Sequence, residues 1–234
     1  MKIEQWVVVG AAVLGLAYLI KKSRAEPSNS YTIYKDGDYT IGYNNNTQKE
    51  EFENLDFSTL GQSVVDALPT GGDILIKNGT YITKWPISIP KIPNPNYIFN
   101  VSGESLNTKI KLDAASINNF EHKYIFNSFS PGIYQKLYFD GSYREMINQQ
   151  RYYGGLLYIG ADNITVQDCL FDDSNYFKIF SYYGQNNIII NRSRFERASG
   201  DDNIGGGKYN NLKITNNIFN ATPSKWYGGT TLDT

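Results

Sequence analysis

Asp162-Asn-Ile-Thr-Val-Gln-Asp-Cys-Leu-Phe171, Asn186-Asn-Ile-Ile-Ile-Asn-Arg-Ser-Arg-Phe195 and Asn210-Asn-Leu-Lys-Ile-Thr-Asn-Asn-Ile-Phe219 are one phrase written three times at a spacing of 24 residues. Asn163, Asn187 and Asn211 fall in one column, as do Ile164, Ile188 and Leu212, then Val166, Ile190 and Ile214, then Phe171, Phe195 and Phe219. Apolar residues alternate at the start of each row, so one face of a strand points inward. A polar pair follows (Gln167-Asp168, Asn191-Arg192, Thr215-Asn216) before Phe171, Phe195 or Phe219 returns to the interior. Each row therefore reads as strand, sharp bend, strand. One such coil cannot bury its own inner face, but stacking at about 4.8 Å joins the columns into a continuous core. Asparagines at the bends can bond to their copies above and below. The competing reading, an antiparallel β-sandwich, leaves the fixed period as coincidence.

Charged residues make up 19% of the 234-residue chain and the net charge is −1, so no basic surface points to nucleic acid. Cys169 is the single cysteine, which excludes an intrachain disulfide, and its column (Ser193, Asn217) reads as a small interior position. His122 is the single histidine, which removes His-cluster metal sites and makes a Ser-His triad a poor expectation. No cofactor and no metal site is expected.

The amino-terminal run from Ile3 to Ile20 is apolar and is followed by Lys21, Lys22 and Arg24. It reads as a hydrophobic helix over residues 1–24, embedded in a membrane or in the base of an oligomeric particle, rather than as a cleaved signal peptide. Residues 25–57 read as linker, hairpin and neck, with Asp36-Gly37 as the hairpin turn. Lys49 to Leu68 reads as helix in two pieces. The second piece, residues 58–70, opens on Ser58 as N-cap and plugs the open end of the coils. Residues 71–234 then form the solenoid.

Leu68-Pro-Thr-Gly-Gly-Asp-Ile-Leu-Ile-Lys-Asn-Gly-Thr-Tyr-Ile82, with Pro86-Ile-Ser-Ile-Pro90, Val101-Ser-Gly-Glu104, Thr108-Lys-Ile-Lys-Leu112 and Tyr134-Gln-Lys-Leu-Tyr-Phe-Asp-Gly141, resembles the opening coils of pectin lyase-like proteins. The resemblance implies an all-β fold, a right-handed single-stranded parallel β-helix with an N-terminal capping helix. It also implies polysaccharide as the partner class, since that superfamily holds lyases, hydrolases and viral spikes. Ser199-Gly-Asp-Asp-Asn-Ile204 resembles the Gly-Asp-Asp motif of polygalacturonase-like hydrolases, which nominates Asp201 and Asp202 as catalytic carboxylates. The rest of that family's signature is missing.

A second group of carboxylates follows each phenylalanine: Asp140, Asp172 and Glu196, with Asp173 alongside. Asp172 and Glu196, one period apart, form the candidate acid–nucleophile pair that glycoside hydrolysis requires. Arg194, Arg197 and Lys178 lie nearby, either to neutralise these carboxylates or to bind an acidic sugar, while Tyr176, Tyr182, Tyr183 and Tyr209 offer ring faces for stacking on sugars or for packing protomers together. The chain thus reads as a virion spike at the particle surface, of the tail-spike kind. Its N-terminal segment would meet other virion proteins, and its homo-oligomeric solenoid would recognise host-surface polysaccharide or glycoprotein, with glycan cleavage an added property that the reading leaves open. Two alternatives stand beside it: a membrane-anchored glycoside hydrolase or polysaccharide lyase at a cell surface, and a purely structural solenoid.

Overall fold

The computed structural model describes residues 29–94, 96–116, 122–142, 145, 153–174, 176–181, 184–197, 203–207 and 209–220. The apolar run over residues 3–20 and the end of the chain after Asn220 lie outside them. Among the described residues no helix is long and apolar enough to cross a membrane.

Three long sheets share the chain between them. The first carries the parallel strands Gly72–Ile76, Phe99–Gly103, Gly132–Gln135, Ile164–Gln167, Asn186–Asn191 and Asn210–Thr215. The second carries Gly79–Thr83, Thr108–Leu112, Tyr138–Asp140, Leu170–Asp172, Arg194–Glu196 and Ile218–Asn220. The third carries Ile87–Ile89, Phe126–Ser128, Leu157–Ile159, Ile179–Ser181 and Ile204–Gly206. The chain visits them in rotation, an arrangement compatible with an all-β solenoid.

The register follows the columns read from the sequence. Val166 lies opposite Ile190 and Ile190 opposite Ile214, while Phe171 lies opposite Phe195 and Phe195 opposite Phe219. Inside the second sheet the rings of Phe139, Phe171, Phe195 and Phe219 stack with centroids 4.8, 5.1 and 4.7 Å apart and planes within 12° of parallel. These spacings match the strand separation itself, so the stack costs no distortion of the backbone ladder.

The bends are set by asparagine. Asn163, Asn187 and Asn211 adopt left-handed φ values of 59°, 58° and 60°, which asparagine tolerates better than most residues. Asn187 Nδ2 donates to Asn163 Oδ1 at 3.0 Å, and Asn211 Nδ2 donates to Asn187 Oδ1 at 2.6 Å. Asp168, Arg192 and Asn216 repeat the left-handed turn at the second bend. There Arg192 clasps both oxygens of Asp168 at 2.7 Å, which holds that carboxyl below the usual range.

At the amino-terminal end the structure departs from expectation twice. Lys49–Asn54 is a strand rather than helix: it pairs antiparallel with Tyr39–Asn44, which pairs with Ser30–Asp36. Residues 30–36 in turn run parallel to Gly72–Ile76, so the hairpin continues the first sheet instead of forming a separate neck. Lys49, Glu50, Glu51 and Glu53 charge the outermost strand, a common protection of a free sheet edge.

The capping helix α1 spans Phe57–Asp66, and its N-cap is Asp56, whose Oδ1 accepts from Thr59 N at 3.0 Å. Ser58 is instead buried, its hydroxyl accepting from the amides of Lys84 and Trp85. Phe57, Leu60, Val64 and Val65 face the core. Beyond the helix Gly71 turns at φ 79°, where a Cβ would also strike Ile98 O at 2.4 Å.

An apolar cavity of about 10 Å³ remains under α1, bordered by Gly61, Ile87, Val65 and Phe126. Two outcomes follow. Phe171→Ala, which removes the middle of the ring stack, lowers unfolding free energy by about 3–5 kcal/mol in denaturant titration. Gly61→Ala raises it by up to about 1 kcal/mol, because the helix gains propensity and the two tight atoms, Ile87 Cδ1 at 2.5 Å and Cγ1 at 3.3 Å, belong to one side chain that can turn toward the cavity.

Candidate functional site

The outer face of the second sheet carries the expected carboxylate column. Asp140 and Asp172 are register partners, and Glu196 follows one coil on. A separation of about 4.8 Å per coil resembles the carboxylate spacing of retaining glycosidases. Each member, however, already holds a cation or a phenol. Lys109 Nζ sits 2.5 Å from Asp140 Oδ2 and 4.6 Å above the Tyr138 ring. Asp172, 4% exposed, receives the Arg197 fork on both oxygens, with Nε to Oδ1 at 2.6 Å, and the Tyr138 hydroxyl at 2.9 Å. Burial and this carboxylate keep the Tyr138 phenol protonated as a donor.

Glu196 accepts from Arg194 Nη2 at 2.5 Å and from Asn220 Nδ2 at 3.0 Å. Burial alone would raise its pKa, but those donors and the Arg194 and Lys178 charges hold it below the usual carboxylate range. A general acid needs the opposite shift. This column is a lattice of neutralised pairs, suited to fixing the coils. Asp201, Asp202, Tyr182 and Tyr183 lie outside the described residues.

The remaining nominated residues separate. Tyr209 packs against the core and donates to Gly205 O at 2.8 Å. Arg197 is committed to Asp172. Lys178 is buried to 1% exposure, its Nζ donating to Asn203 Oδ1 at 2.7 Å. The Cys169 thiol is buried and pushed up to about 12 by desolvation, so it is inert.

Tyr176 belongs to something the sequence reading missed. On the outer face of the third sheet Ser88, Asn127, Tyr158, Phe180 and Gly205 are successive register partners, grading from polar to aromatic along the stack. Around Tyr158 and Phe180 gather Tyr124, Phe129, Tyr176 and Phe177, forming a cluster separate from the core. Tyr158 lies 5.6 Å from both Tyr124 and Phe129 and 6.3 Å from Phe180, while Phe177 stacks on Phe180 at 4.6 Å.

Glycines seat these rings. A Cβ on Gly155 would lie 2.1 Å from Tyr124, one on Gly160 2.5 Å from Phe129, and one on Gly205 2.0 Å from Phe177. Phe129 remains 38% exposed, and Tyr158 and Tyr176 are half-buried. The alternation of Leu157, Tyr158 and Ile159 was the one local signal of an outward ring. Among the described residues no cluster of His, Cys, Asp or Glu is arranged to hold a metal ion. No protein-family model matches the chain, and neither a curated protein nor a solved structure matches it.

Removing Arg197 takes the guanidinium fork away from the nearly buried Asp172, which keeps the Tyr138 hydroxyl bond. Arg197→Met lowers stability by about 2–4 kcal/mol, below the full penalty for a broken buried pair because the guanidinium is 36% exposed. Arg197→Met combined with Asp172→Asn recovers most of that loss, as a double-mutant cycle in urea measures.

Proposed function

We propose that this chain is a surface spike whose solenoid flank recognises cell-surface glycans, an attachment role suited to a virion, and that it binds sugar rather than hydrolysing it through the carboxylate column. The supporting observation is the glycine-seated aromatic row on the third sheet. Sugar rings offer apolar C–H faces that pack on aromatic faces and hydroxyls that need polar partners beside them. Tyr158 and Phe129 supply the first, and Asn127, Ser88 and the tyrosine hydroxyls supply the second. A polysaccharide lying along the stack would meet one outward side chain per coil, about every 4.8 Å. Rings already held by their glycine seats lose little freedom on binding.

In this reading the coils wind right-handed, as in the pectin lyase-like proteins that the turns resemble; crossovers between parallel strands strongly favour that hand. The apolar run at residues 3–20 anchors the spike in a membrane or particle base, and several copies assemble side by side.

The full chain, incubated with envelope polysaccharide, retains it in affinity electrophoresis, while mass spectrometry of the sugar finds no new ends. Tyr158→Ala and Phe129→Ala each weaken retention about tenfold, corresponding to about 1.4 kcal/mol. Lys213→Ala, on the first sheet, leaves it unchanged. Equal retention by all three variants removes the aromatic row from the reading. New saturated or unsaturated ends identify a hydrolase or a lyase instead.

A further inference from the structure

Each coil enters the third sheet through an interior position. Ile125, Leu156, Lys178 and Asn203 occupy it in succession, linked by backbone bonds from Ile125 N to Leu156 O, Leu157 N to Lys178 O and Ile179 N to Asn203 O. Ile125 and Leu156 are fully buried aliphatic residues, as a core column requires. The next two coils place an amine and a carboxamide there, each 1% exposed. Interior polar groups of this kind are costly unless they are fully bonded, and this pair is not. Lys178 Nζ reaches Asn203 Oδ1 at 2.7 Å, yet Asn203 Nδ2 finds no hydrogen-bond partner among the described residues. The carboxylates of Asp172, Glu196 and Asp173 lie close enough to act on the Lys178 charge.

We propose that Lys178 and Asn203 are the two halves of an intramolecular isopeptide bond that covalently staples one coil to the next. The amine nitrogen attacks Asn203 Cγ, one bond beyond the oxygen it already contacts. The new N–C bond forms as the Cγ–Nδ2 bond breaks, and Nδ2 departs as ammonia. Asp173 takes a proton from the attacking nitrogen and returns it to the leaving one, so lysine plus carboxamide becomes a secondary amide plus ammonia, with no oxidant or co-reactant. The positions supply what the reaction needs. Nζ and the carboxamide are held together at hydrogen-bond distance, which replaces a bimolecular encounter. Burial brings the Lys178 amine from an ordinary 10.5 down to about 8, against the opposing pull of Asp172, Glu196 and Asp173, so a reactive neutral amine is accessible near physiological pH. Nδ2, which has no hydrogen-bond partner among the described residues, is the leaving group, and no bond to those residues is lost when it goes. The product replaces a buried ionisable group and an unsatisfied donor with one neutral amide. In a chain whose single cysteine precludes an internal disulfide, it supplies the covalent tie between coils.

Intact-mass measurement of the denatured full chain, after incubation at mildly alkaline pH, tests this. The expected mass falls short of the sequence mass by one ammonia. Trypsin then yields a branched peptide joining the segment that contains an uncleaved Lys178 to Ala198–Lys208. Lys178→Met and Asn203→Ala each show no deficit. Asn203→Asp, of nearly the same shape, loses one water in place of ammonia. A wild-type chain that stays at its sequence mass overturns the proposal, as does a deficit that persists in Lys178→Met, which would place the ammonia loss elsewhere, such as at Asn78-Gly79.

Discussion

Vertical registry between neighbouring coils governs this molecule. A parallel strand pair fixes which residue lies over which, and here the same alignment must satisfy three sheets, an aromatic stack and two rows of left-handed bends at once. Slipping one strand by one residue would send every inward side chain out to water. The Phe139–Phe171–Phe195–Phe219 stack resists such a slip through ring overlap, and the Asn163–Asn187–Asn211 ladder resists it through amide bonds. One interaction holds the interior and the other holds the corner, so no single coil is free to choose its own alignment.

That constraint also decided what could be read from the chain beforehand. Columns at Val166, Ile190 and Ile214 were legible because three coils keep an unbroken 24-residue period. Tyr81, Ile110 and Phe139 continue the second-sheet interior. They recur 29 residues apart rather than 24, and the first-sheet partners of the same coils, Ile74, Val101 and Tyr134, are spaced 27 and then 33 apart, so the 24-residue period does not expose them. Lys49–Asn54 looked helical because lysine and glutamate favour helices, yet an edge strand also selects charge. Ser58 looked like an N-cap, but Asp56 took that role because the Ser58 hydroxyl is drawn inward by the Lys84 and Trp85 amides.

The site was legible in half. Asp140, Asp172 and Glu196 were recognisable as a column, with Arg194 and Arg197 beside them as neutralising cations, but Lys109 and Tyr138 were not, because they reach the column from neighbouring coils. Those partners change the chemistry from a catalytic pair to a neutralised lattice. The aromatic row was hidden for a related reason. Tyr124, Phe177 and Phe180 come from coils of unequal length, and the glycines that seat them have no side-chain pattern of their own. Lys178 read as a cation for the carboxylates or for an acidic sugar, whereas it falls in the column of Ile125 and Leu156 and is buried with them.

The asparagine ladder has one direction: each amide donates to the coil before it and offers its own oxygen to the coil after it. Any 24-residue block with the same corner residue therefore plugs into either neighbour without altering them. Such a shaft can lengthen by duplication of whole coils, each adding about 4.8 Å of reach, while its two ends keep their chemistry. Gene-level tandem copying would thus change the length of the coil stack in discrete increments.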